Sequence, residues 1–183
     1  MLYPALVQSE EELSQVLNLQ HENHIETINR DEMQSQGFVT LRHDIDTLRQ
    51  MHHLAASVII KADDKVVAYA LTMLRECRHL IPDLESMFAL LDNLHWHGNP
   101  LSNYRFYVMG QVCIAKAFRG KGLFEQLYDH HRKTYQSQFD LLVTEISTRN
   151  HRSIRAHEKV GFKTIHTHRD NLDEWKVVGW DWR

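Results

Sequence analysis

Arg119-Gly120-Lys121-Gly122-Leu123-Phe124 places two cations and two glycines between an apolar run ending at Ile114 and an amphipathic run beginning at Leu123. Where a strand gives way to a helix, the first helical N–H groups are unpaired and the macrodipole adds positive potential. Glycines remove the side chains that would keep an anion from those amides. The chemistry expected is capture of a phosphate or diphosphate, the alternative being a solvated basic loop at a helix start. Spacing argues against two common phosphate loops. A Walker A loop would need Gly in place of Ala115 and Ser or Thr in place of Gly122, and a dinucleotide fingerprint would need Gly in place of Glu125.

The other reactive side chains are scattered. Glu145 lies in a strand-like run, Cys113 in another, and His157 in an amphipathic stretch opened by Asn150. The chain has 14 histidines, several in pairs such as His52-His53, His95-x-His97, His130-His131 and His166-x-His168. None of these pairs has a nearby cysteine or a zinc-protease spacing, so no metal is expected. Cys113 reads as a small buried residue ahead of a nucleophile.

The elements that must position these groups follow from periodicity and caps. Ser9 with Glu12 predicts a capped helix carrying Leu13, Val16 and Leu17. A second helix is expected over 25–36, stopping at Gly37. A third is expected from Asp44 or Asp46, with Leu48, Met51, His52 and Ala55 inward. Residues 57–61 and 66–74 read as a hairpin around Asp63-Asp64. Asp83 is expected to cap a helix bearing Leu84, Met87, Phe88, Leu91 and Leu94. Strands are then expected at 104–114, 139–146, 162–168 and 174–181, with helices from Leu123 and from Asn150 to Gly161. Strand, helix, strand implies a parallel pair inside a sheet whose hairpins make it mixed.

Bulk properties narrow the class. The 183 residues carry 21 Lys+Arg against 24 Asp+Glu, a net charge of −3 that supplies no global attraction to nucleic acid or an anionic membrane. One domain over 1–183 is expected. Two cysteines make no disulfide framework, and neither a signal peptide nor a membrane span is visible, so a cytoplasmic protein is expected. Trp175 to Trp182 reads as a strand with one exposed face that suits a homodimer interface.

At the glycine loop the sequence resembles the GNAT acetyltransferases, whose signature is Q/R-x-x-G-x-G/A between a strand and the following helix. Arg119 and Gly122 match, and Phe124 departs from the usual Gly or Ala. A second family pattern, N-x-x-[AS]-x-x-x-Y-E-K-x-G-F, is met by Asn150, Ser153, Glu158, Lys159, Gly161 and Phe162, with His157 in place of Tyr. The resemblance spans 104–162. It implies an α+β, three-layer GNAT acyl-CoA N-acyltransferase fold: a mixed central sheet flanked by helices, with a splayed parallel pair that admits pantetheine. It implies acetyl-CoA as cosubstrate, held by residues 119–124, by the strand at Val112, Cys113 and Ile114, and by Asn150 and Ser153. It implies an amine acceptor, a small molecule or a peptide, acetylated by direct attack. By position in the family pattern, His157 is the candidate acid for the leaving thiolate, with Tyr104, Tyr107 or Tyr128 as alternatives. Glu145 is the candidate base, with Glu76, His79 or a water chain behind it. Residues 78–103 are a candidate acceptor wall or, more plainly, a packing helix. A non-catalytic acyl-CoA-binding module is the rival function.

Overall fold

The computed structural model describes residues 1–36 and 38–183, with the side chains of Gln34, Ser35 and Asp83 outside the described set. The expected helix stop at Gly37 therefore lies outside the described residues. In chain order the elements are β1 (Leu2–Leu6), α1 (Glu10–Glu22), α2 (Arg30–Gln36), α3 (Ile45–Leu54), β2 (Val58–Ala62), β3 (Lys65–Met73), α4 (Pro82–Asp92), the two-residue strands β4 (His95–Trp96) and β5 (Asn99–Pro100), β6 (Phe106–Ile114), α5 (Leu123–Tyr135), β7 (Leu141–Ser147), α6 (His151–Val160), β8 (Lys163–Arg169) and β9 (Glu174–Asp181).

Seven strands form one sheet in the order β1-β2-β3-β6-β7-β9-β8. All neighbours in it are antiparallel except β6 and β7. Helices α1, α3 and α4 cover one face through Leu13, Val16, Leu48, Met51 and Phe88. Helices α5 and α6 cover the other through Leu123, Leu127, Tyr128 and Ile154. β3 is buried on both faces, which is why its sequence reads as one apolar run.

Local chemistry sets most boundaries. Ser9 Oγ accepts the Glu12 amide at 3.2 Å, but Glu12 reaches back to the Gln8 amide, at 2.7 Å, and pairs with Lys61. Asp44, of the two candidates, caps α3 by accepting the Thr47 amide at 2.7 Å. Asn29 Oδ1 accepts the Glu32 amide at 2.8 Å, so α2 begins at Arg30, five residues later than its apolar pattern suggests. α4 starts at Pro82 with Ile81 at the N-cap position, two residues ahead of the expected cap Asp83. β1 is an element the sequence pattern did not announce: Pro4 interrupts it, and proline is tolerated there because the strand forms the sheet's edge. β9 lies inside the sheet with Val177 to Trp180 buried, so it offers no exposed face of the kind expected of Trp175 to Trp182.

Candidate functional site

β6 and β7 run together for three parallel pairs, the last being Val108 with Val143. Beyond that point β6 stays paired with β3 as far as Ile114, and β7 stays paired with β9 as far as Ser147. The two strands therefore part while each remains anchored on its outer side. Thr144 Oγ donates to the Met109 carbonyl at 2.9 Å, satisfying the first β6 carbonyl past the parting. Register between β3 and β6 shifts in the same stretch: two steps from Ala70 to Thr72 face three from Val112 to Met109. The extra residue is a bulge in β6 at Gly110 and Gln111, which turns the strand away from β7.

The opening holds a cavity of about 310 Å³ lined by Val112, Cys113 and Ile114, by the loop 119–125 apart from Lys121, and by Asn150 and Ser153. A narrower space of about 90 Å³ continues between the strands to Glu145, Thr144 and Trp175. Val112, Asn150 and Ser153 line both, which joins them into one passage. Ten of the eleven residues the sequence marks for the cofactor face this passage, and Lys121 is the one that does not.

At the outer end, Gly120 and Gly122 have φ of +75° and +73°, the left-handed region that glycine enters without strain. A Cβ at either would meet nothing within 4 Å, so both stand beside open space. Among the described residues, no protein acceptor takes the backbone N–H groups of Gly120 to Phe124. Free amides, a helix N-terminus and open volume together fit a diphosphate. Lys121 lies over the Phe118 ring. Arg119 is spent differently from expectation. Its guanidinium donates to the Ile114 carbonyl, to Asn23 Oδ1 and to Glu32, bracing the loop against α1 and α2. The Lys116 ammonium, with Arg119, holds the Glu32 carboxyl below its usual range.

Asn150 is committed at both ends: Oδ1 caps α6 by accepting the Ser153 amide at 3.2 Å, and Nδ2 donates to the Phe38 carbonyl at 3.3 Å. His157 is buried, 1% exposed. Its Nδ1 donates to the Ser153 carbonyl at 2.8 Å, which leaves Nε2 to accept the Tyr128 hydroxyl at 2.6 Å. Burial pushes its pKa down to about 4, against the Ser153 bond. The ring is neutral and both nitrogens are used within the protein. Phe124 packs edge-on against it, 5.0 Å between centroids, so the bulky residue at the departing motif position serves the core. Burial pushes the Cys113 thiol up to about 12, which keeps it protonated and poorly nucleophilic.

At the inner end Glu145 accepts a hydrogen bond from His168 Nε2 at 2.6 Å. Burial raises its pKa, and the His168 bond opposes the rise. The alternatives for base and acid lie elsewhere: Glu76, His79, Tyr104, Tyr107 and Tyr128 line neither part of the passage. No described residue of 78–103 lines it either; Phe88 and Leu91 of α4 are core. The wall is instead the segment 38–41, which sequence reasoning missed. Its backbone is tied at Phe38 by Asn150, at Val39 by Asn23 and Ile25, at Thr40 by His24, and at Leu41 by Gln111. Asn23 and Glu32 also went unread, and His168 was read only as half of a His-x-His pair, because nothing local in the sequence signals their partners.

The chain belongs to the acetyltransferase (GNAT) family, whose sequence model matches residues 13–162. No curated protein matches the sequence. Among solved structures, the ribosomal-protein-S18-alanine N-acetyltransferase of Escherichia coli superposes with a TM-score of 0.67 at 11% identity, covering 99% of this chain and 94% of that one. A Streptococcus agalactiae acetyltransferase of the GNAT family gives 0.67 at 13%, covering 100% and 96%. A Salmonella typhimurium protein assigned as an acetyltransferase, with its cofactor acetyl-CoA, gives 0.64 at 12%, covering 100% and 94%. Identities this low speak for the fold, and the splayed parallel pair agrees with it.

Proposed function

We propose that this chain transfers an acetyl group from acetyl-CoA to a primary amine. The observation that carries the reading is the continuous passage from the unpaired amides at Gly120 to Phe124, between the parted strands, to Glu145. The amides would hold the diphosphate, and the unpaired inner edge of β6 at Val112 to Ile114 would hold the pantetheine arm as strand pairing holds a peptide. The Salmonella protein described with acetyl-CoA supports that choice of ligand.

Acetyl-CoA would supply an activated acyl carbon; the chain supplies position and a proton acceptor. An amine must shed a proton to attack; of the two carboxylates lining the passage among the described residues, Glu125 at the outer end is paired with Lys159, and Glu145 at the inner end is the one that can take it. His157, with both nitrogens engaged, has no proton facing the passage, so the leaving thiolate would draw its proton from the acceptor by way of Glu145 or solvent. Cys113 stays out of the chemistry, consistent with direct transfer. That missing acid is also what favours the rival, an acyl-CoA-binding module without turnover.

One experiment separates them. Calorimetry with CoA is expected to show binding, and free-thiol release from acetyl-CoA across a panel of small amines and peptides is expected to show turnover that Glu145→Gln removes. Absence of CoA binding would overturn both readings; binding with silence across the panel would leave the module.

A further inference from the structure

Glu145 is largely buried between strands, where a carboxylate resists ionisation, yet an acceptor of the amine's proton must be ionised. The passage offers it one counterweight. β7, β9 and β8 lie side by side, with Glu145 opposite Val177 and His168 opposite Trp175. This places His168, from the sheet's edge strand, within 2.6 Å of Glu145 Oε1, while its side chain keeps 22% of its surface exposed. Oε2 of Glu145 has no protein partner among the described residues and is the oxygen left for an acceptor.

We propose that His168 is the positioning residue for Glu145, its Nε2–H fixing one carboxylate oxygen so that the other takes the proton of the acceptor amine. The inference rests on the proposed acetyl transfer for its consequence, but the contact itself does not. His168 acts through Glu145 and touches no part of the cofactor end, since the lining of the large cavity contains no residue of β8.

Other titratable groups face the carboxylate as well. His166 stacks on His168 with 6.2 Å between centroids and 10° between planes. Asp170, in the turn after β8, opposes ionisation of Glu145, and burial opposes it more strongly. His157 lines the same narrow space but is neutral. Lys176 stands opposite the neighbouring Ile146. Of these, His168 alone donates a hydrogen bond to Glu145.

The test is a 13Cδ-glutamate NMR titration of the full chain, with the Glu145 resonance assigned by its loss in Glu145→Gln. In His168→Ala the Glu145 midpoint is expected to rise by about one pH unit or more, the usual scale for losing a close charged or hydrogen-bonding partner. The acidic limb of kcat/KM for thiol release should move upward with it, and the affinity for CoA should not change. His168→Gln, which restores an N–H donor without an imidazole, should bring the midpoint part of the way back and keeps the test open should the alanine variant fold poorly. An unmoved midpoint in both variants overturns the inference, even where Glu145→Gln abolishes turnover. A moved midpoint with turnover intact in Glu145→Gln sinks the base role of Glu145 and leaves the hold of His168 on it standing.

Discussion

Gly122 is both the N-cap of α5 and a wall of the passage, and its two roles make separable demands. Its φ of +73° is a backbone demand: alanine there costs about 1 kcal/mol of left-handed strain. The space beside it is a ligand demand, because a Cβ there would meet no protein atom but would stand where the proposed diphosphate would approach. Gly98 is an internal control, with φ of +80° and equally open surroundings, in the β4–β5 turn and away from the passage. Gly122→Ala is expected to lose at least about tenfold in CoA affinity, near 1.4 kcal/mol, while Gly98→Ala loses none. Both should show a similar small drop in Tm. Calorimetry and thermal melts on the two variants check it, and equal CoA affinity in both would take the anion away from this loop.

Between residue and molecule, the site depends on the strap 38–43 that closes the mouth of the parted strands. Gln20 is its central tie: Nε2 donates to Gln111 at 2.8 Å and to His43 Nδ1 at 2.9 Å, and Oε1 accepts the His43 amide at 2.9 Å. Gln111, in the bulge of β6, donates in turn to the Leu41 carbonyl. Gln20→Ala strands buried partners at a cost of about 1–3 kcal/mol. Hydrogen–deuterium exchange should then rise across 38–43 and stay unchanged in the β2–β3 hairpin; unchanged protection in the strap would show that its other ties suffice. This level also marks where the sequence is legible. The glycine loop, the Asn150 motif and the strands around them are encoded by neighbours three to ten residues apart, and they stand where residue pattern put them. The parting of β6 and β7 is set by competition among four strands, and the strap by bonds such as Asn150 to Phe38, 112 residues apart. Pairings of that range leave no periodic trace. Nor does the Glu145–His168 contact, whose histidine reads from sequence only as half of a His-x-His pair.

For the molecule as a whole, three buried histidines join the layers, and all three are held neutral. Burial lowers His43 and His157 to about 4 and His131 to about 3. His131 ties α5 to the sheet, accepting from the Tyr107 hydroxyl at 2.9 Å and donating to the Ala70 carbonyl at 3.2 Å. His157 ties α6 to α5 through Tyr128, and His43 ties the strap to α1. In the unfolded chain each would titrate near the ordinary value of about 6.5. Below that pH the unfolded state binds protons that the folded state refuses, so stability falls as pH falls, through a window from about 6.5 down to about 4. Each ring contributes about 2 kcal/mol of loss by pH 5, on the order of 6 kcal/mol together, which rivals the whole stability of an ordinary domain. Glu145, with its raised pKa, holds a proton more readily in the fold and runs the other way, but it is one group against three. Depressed carboxyls such as Glu12, Asp140 and Asp181 lose their contribution only at lower pH, as they protonate. The urea midpoint is therefore expected to drop steeply between about pH 7 and pH 5, before any carboxylate unfolding begins. His131→Gln should remove about a third of that drop while lowering the midpoint at neutral pH. A midpoint flat across the window would mean that these rings are not neutral in the fold, and that the junctions they make are held some other way.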